Sequence, residues 1–137
     1  MIDRDRLAAM PIALDASPRT LRRPVCHGWL GDWQITGRHG DVQAFDGGFL
    51  IYFQSEGSPR RWTNAKALLS FAELRQDAED EGIVGLDRLP TSAEASLIRK
   101  VIGIRRRRHL SADERADLAK RLSRPPQEGT IPASLFV

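Results

Sequence analysis

Asp46-Gly47-Gly48-Phe49-Leu50-Ile51-Tyr52-Phe53 joins a tight-turn signal to an unbroken apolar and aromatic run. Glycine reaches the positive φ that short hairpin turns demand, so a strand should end at the turn and another begin just after it. A strand apolar on both faces belongs in the middle of a sheet, with one side under a helix. Upstream, Val42, Ala44 and Phe45 supply a short second strand, and Gly37-Arg38-His39-Gly40 a turn before it. Trp29, Trp33 and Ile35 fall on alternate positions, as one buried strand face requires. Residues 25–54 therefore read as a three-stranded antiparallel meander.

Downstream, Ser55-Glu56-Gly57-Ser58-Pro59 leads out of the sheet. Thr63 is a good N-cap for a helix running to about Glu81 and closed by Gly82. Ala65, Leu68, Leu69, Phe71 and Ala72 give it an inner stripe. Its last turn, with Asp77, Glu79, Asp80 and Glu81, opposes the helix dipole and needs a basic neighbour, a basic partner or a metal to answer it. Ile83-Val84-Gly85-Leu86 suits a short strand at the sheet edge. Thr91-Ser92-Ala93-Glu94 is a capping box for a helix with Ala95, Leu97, Ile98, Val101 and Ile102, ended by Gly103. Ser111-Ala112-Asp113-Glu114 repeats that signature before a helix stopped by Pro125-Pro126. The expected fold is α+β: a small antiparallel sheet of three to four strands packed by one helix, then a C-terminal helical pair.

The length suits a single domain, placed at residues 25–124. Residues 1–24, broken by Pro11, Pro18 and Pro24, read as an arm, solvated or lying on the body. Its arginines, Arg19, Arg22 and Arg23, could follow a phosphate backbone. Residues 125–137 form a tail whose apolar end, Leu135-Phe136-Val137, is expected to dock on this chain or on a copy of it, as in a homodimer. The start of the chain has no apolar leader run, no segment is long enough to cross a membrane, and the single cysteine, Cys26, precludes an internal disulfide. A cytoplasmic location without membrane attachment is expected.

Charge is unevenly distributed. Ten basic and three acidic residues lie between Arg99 and Arg124, a net +7; seven acidic and two basic residues lie between Glu73 and Ile98, a net −5. Either the two segments neutralise each other within the fold, or one end attracts polyanions. The residues expected to contact phosphate are Arg105, Arg106, Arg107 and Arg108, with Arg99, Lys100, Lys120, Arg121 and Arg124, and with Arg60 and Arg61 beside Trp62. Nucleic acid is thus the expected partner, DNA ahead of RNA, and the alternative is a host nucleic-acid-binding protein met by the same surface.

Two resemblances bear on this. Ile98, Ile102 and Ile104 with Gly103 are similar to the apolar-glycine-apolar pattern at the turn of helix-turn-helix proteins, which implies DNA binding. The pattern departs at Arg99, where that family has a small residue, and at His109, where it has a branched apolar one. A helical hairpin with a basic connection fits these residues as well. Separately, Arg61-Trp62-Thr63, Asp80-Glu81-Gly82, Leu86-Asp87-Arg88-Leu89-Pro90-Thr91 and Gly103-Ile104-Arg105 resemble small alphaproteobacterial and mobile-element proteins of unknown function. That resemblance implies a discrete cytoplasmic module tied to phage or plasmid biology and brings no activity with it. The two roles weighed for the chain are a mobile-element regulator and, as the alternative, an inhibitor that docks on a host nucleic-acid machine.

Other chemistry is thinly signalled. Cys26, His27 and His39 with nearby aspartates lack the paired short spacing of zinc sites, so neither metal nor cofactor is expected. His39 with Asp41 or Asp46 could be drawn as an acid–base pair, but no nucleophile elbow or phosphate loop accompanies it, and no catalysis is expected. Trp29, Trp33 and Tyr52 could stack on bases, though their alternation argues for core packing. Trp62 reads as the exposed aromatic, or as a staple against Ala67.

Overall fold

A computed structural model describes residues 2–109 and 111–123 and divides the chain into two units, one ending at Arg107 and the other beginning at Arg108. The first unit is α+β. Its sheet has six antiparallel strands in the order β1-β4-β5-β6-β8-β7. These are β1 (Leu21–Arg22), β4 (Gln34–Thr36), β5 (Gly40–Phe45), β6 (Gly48–Gln54), β7 (Glu73–Asp77) and β8 (Glu81–Leu86). β2 (Val25–Cys26) and β3 (Trp29–Leu30) pair only with each other.

The hairpin that decides the fold forms as its turn residues require. Phe45 pairs with Gly48, and the two residues between them, Asp46 and Gly47, both have positive φ. β6 is central, flanked by β5 and β8. Phe49, Ile51 and Phe53 face the core, where Val42 and Val84 lie across from Ile51. On this face lie α3 (Pro59–Leu68) and α4 (Ser92–Ile102), which also pack on each other.

Four expectations are corrected. The sheet has six strands, not three to four, because the N-terminal segment supplies β1 and residues 73–77 form β7 instead of continuing a helix. The helix after the sheet starts earlier and stops sooner than expected. Ser58, not Thr63, caps it by accepting from the Arg61 N–H, while the Thr63 hydroxyl donates to the Pro59 carbonyl inside it. With residues 73–77 extended, the acids there no longer oppose a helix dipole.

Residues 7–16 are core rather than a solvated arm. α1 (Ile2–Leu7) and α2 (Met10–Ala13) bring in Leu7 and Met10, and Leu14 and Ala16 follow; all four are buried. The tryptophans also exchange roles. Trp29 is exposed in the separate β2–β3 hairpin and Trp33 is half-buried, whereas Trp62 is the largest fully buried side chain. Trp62 stacks on Phe53 with ring centroids 5.8 Å apart and donates its Nε1–H to Asp77 at 2.8 Å. Gly82 makes the seat possible, since a Cβ there would overlap the indole.

α4 is bounded as its sequence dictates. Thr91 Oγ1 accepts from the Glu94 N–H at 3.2 Å and Glu94 returns the bond to the Thr91 N–H at 2.9 Å, completing the capping box. Gly103 ends it in the left-handed region, φ 75°. Two of its C-terminal carbonyls then accept from the β4–β5 turn: His39 N–H bonds Ile102 O at 2.8 Å, and Arg38 N–H bonds Gly103 O at 3.1 Å.

In the second unit, α5 (Ala112–Ser123) begins after Ser111, whose Oγ accepts from the Glu114 N–H. Its described residues are all exposed. Residues 103–111 separate α4 from α5, longer than the three- to four-residue turn of a helix-turn-helix. Leu135-Phe136-Val137 and the dimer contact expected of them lie outside the described residues, as does Arg124.

Candidate nucleic-acid interface

The arginine run leaves α4 through a defined anchor. Ile104 is buried beside the end of the helix, and the chain from Arg105 to His109 then has no regular structure and is exposed. Asp15, just after α2, holds this stretch at two points. Its carbonyl accepts from the Arg107 N–H, and its carboxylate pairs with Arg106 Nε at 2.6 Å. Asp15 has a positive φ of 53°, which turns both groups away from the helix it follows.

The expected site residues divide by what they touch. Arg99 is structural: its Nη1 donates to the Leu14 carbonyl at 2.7 Å and ties α4 to the N-terminal segment. Arg106 is shared between Asp15 and solvent, with its side chain 68% exposed. Lys100, Arg105 and Arg107 are exposed and have no ion pair among the described residues. Arg60 and Arg61 are exposed on α3. Arg61 and Lys100, thirty-nine positions apart, line one groove of about 240 Å³ between α3 and α4, floored by Phe53, Leu68 and Val101.

In the second unit, Arg108 pairs with Glu114 at 2.9 Å and Arg121 with Asp117 at 3.1 Å, while Lys120 is exposed. The Arg108 guanidinium and the Ser111 cap hold the Glu114 carboxyl below its usual range. Such exposed pairs are weak and exchange readily for another anion.

The acidic stretch is answered elsewhere. Asp77 accepts from Lys66 Nζ at 3.0 and 3.1 Å as well as from Trp62, and these bonds lower its pKa. Glu81 accepts from the Tyr52 hydroxyl at 2.7 Å, which pushes that phenol up to about 12. Neither takes an arginine of the 105–108 run. Among the described residues of the first unit, no ion pair joins the acidic segment to Arg105, Arg106 or Arg107.

A second, polar cleft of about 210 Å³ lies where β4, β5 and β6 end, with His39, Asp41, Tyr52 and Glu56 among its walls. Burial raises the Asp41 carboxyl, and Gln43 partly offsets that by donating to it at 3.3 Å. His39 and Asp41 thus share a cleft, whereas Asp46 sits in the turn at the opposite end of β5. The cleft carries both signs of charge, with Arg38 lining it alongside Asp41 and Glu56. Among the described residues, no three His, Cys, Asp or Glu side chains gather as a metal site would need, and no helix is long and apolar enough to cross a membrane.

Comparison with known proteins adds no relative: no protein-family model, curated protein or solved structure matches the chain.

Sequence reasoning reached the arginines but missed Asp15 as their anchor, because ninety-one residues separate it from Arg106. It also read Trp29 as core. The two-residue His27-Gly28 turn, with both φ angles positive, was the signal that marks its separate hairpin.

Proposed function

We propose that the protein is a non-catalytic nucleic-acid-binding module that contacts phosphates through Lys100, Arg105 and Arg107, with Arg106, Arg60 and Arg61 contributing around them. The observation that carries this reading is that Arg105 and Arg107 stand exposed without a carboxylate partner among the described residues, while Asp77 and Glu81 are engaged by Lys66, Trp62 and Tyr52. A guanidinium that is not paired within the fold has no internal ion pair to give up on meeting a phosphate, and its fork suits two oxygens at once. Arg108, Lys120 and Arg121 of the second unit carry the same chemistry. Contacts of this kind set position and affinity without reading sequence. DNA in the cytoplasm is the first expected target, and a small mobile-element regulator is a role that such a module could fill.

Salt dependence tests the reading. On duplex DNA each phosphate contact adds about −0.9 to the slope of log K against log salt, so Arg105→Ala/Arg107→Ala should make a steep negative slope shallower by about 1.8. Circular dichroism should be unchanged in that variant. Nucleic-acid binding unchanged by the double substitution would overturn the site assignment. No retention of nucleic acid even at low salt would point instead to a protein partner, such as a host nucleic-acid-binding protein, whose affinity rests on apolar anchors.

A further inference from the structure

β2 and β3 form a two-stranded arm outside the main sheet, Val25 opposite Leu30 and Cys26 opposite Trp29. A lone pair of strands is marginal in water, yet this one exposes its apolar side chains: Trp29 is 79% exposed, Val25 67% and Leu30 60%. Alternation puts Trp29 on one face of the arm and Val25 with Leu30 on the other, so it is apolar on both sides.

Of the three tryptophans, only this one has an open ring. Trp62 is buried. Trp33 lies under two cations, with the Arg4 guanidinium 4.9 Å and the Arg23 guanidinium 6.0 Å from its centroid.

The root of the arm is basic. Arg23 Nε donates to the Gly31 carbonyl at 2.9 Å and Arg22 Nε to the Arg19 carbonyl at 3.0 Å. Each bond uses Nε and leaves the terminal nitrogens to meet an anion. Arg19, Arg22 and Arg23 have no ion pair among the described residues; the carboxylates nearest in sequence are Asp15, which pairs with Arg106, and Asp32.

We propose that this arm binds single-stranded nucleic acid: an unpaired base stacks on the Trp29 indole while the adjoining phosphates meet Arg19, Arg22 and Arg23. An exposed indole beside fixed guanidiniums is the pairing that single strands select, since every base offers a π-face and every linkage a charge. The inference rests on the nucleic-acid reading above and adds the form of strand that is recognised.

The test uses the full chain, a fluorescein-labelled single strand of mixed sequence and the same strand annealed to its complement, read by anisotropy and by intrinsic tryptophan emission. Trp29→Ala should weaken single-strand binding on the order of tenfold and leave duplex binding unchanged. Trp29→Phe should keep most of that affinity but lose the emission quenching seen on binding. Thermal melts of both should match the parent, because the indole is in solvent. Arg105→Ala/Arg107→Ala should weaken both nucleic-acid forms. If Trp29→Ala binds the single strand as the parent does while the arginine variant does not, the arm is no contact and the broader reading stands. If sedimentation then finds Trp29→Ala monomeric and the parent dimeric, the arm is instead a contact between copies. Failure of the parent to retain either form at low salt removes both proposals.

Discussion

The β7–β8 strand pair and the connection after α4 carry opposite net charge of equal size, four each, but they use it differently. Asp77 and Glu81 are each spent on a neighbour across the fold, Asp77 on Trp62 and Lys66, Glu81 on Tyr52. Arg105 and Arg107 are spent on nothing among the described residues, although the backbone that carries them is pinned by Ile104 and Asp15. Charge that is hydrogen-bonded inward holds a structure together, and charge that is held outward on a fixed backbone is available to a ligand. The sign of the charge does not reveal which; the geometry does.

The comparison breaks most visibly at Trp62. Trp62→Ala removes the stack on Phe53 and the indole bond to Asp77 and leaves a cavity under the sheet, so a loss of about 3–5 kcal/mol is expected in urea unfolding. Arg105→Ala/Arg107→Ala should stay within roughly 0.5 kcal/mol of the parent in the same assay, as exposed substitutions do. A comparable loss in both would mean that the two regions are equally structural.

Arg99 sharpens the contrast from within the basic segment. Its bond to the Leu14 carbonyl predicts that Arg99→Ala costs about 1 kcal/mol of stability, with nucleic-acid affinity unchanged once the protein is folded. If Arg99→Ala instead lowered affinity and spared stability, Arg99 would belong with the ligand-facing set.

The smallest effect concerns acid. Glu94 is held at about 2 by the Arg88 guanidinium and by the Thr91 cap, against an ordinary 4.5. A carboxylate whose folded pKa is depressed stabilises the fold above its unfolded pKa and loses that contribution as pH falls through the folded value. Parent and Glu94→Gln should therefore differ at neutral pH and converge between about 4.5 and 2 in pH-dependent thermal melts. A difference that persisted at the acid end would mean that the charge on Glu94 is not what stabilises the start of α4.

Parts of the candidate site were legible before any coordinates. The Arg105–Arg108 run, the cap at Thr91 and the stop at Gly103 are all written in contiguous residues. Arg61 and Lys100 were both named, but nothing in their spacing says that they line one groove, because α3 and α4 are brought together only by the tertiary fold. Asp15 escaped for the same reason. Trp29 and Trp62 were read with their roles reversed: alternation with Trp33 and Ile35 suggested a single strand, whereas the His27-Gly28 turn folds Trp29 into an arm of its own.

The sequence by itself determined the Asp46-Gly47 hairpin, the capping box of α4, its glycine stop and the central place of Phe49–Phe53. In each case backbone preference, a contact a few residues away or local apolar pattern is enough. Only the tertiary structure decided that Glu73-Leu74-Arg75-Gln76-Asp77 is a strand. Its glutamate, leucine, arginine and glutamine are good helix formers, and pairing with β8 overrides them. It alone also decided which charges meet and which tryptophan is inside, since those depend on residues far apart in the chain arriving at one place.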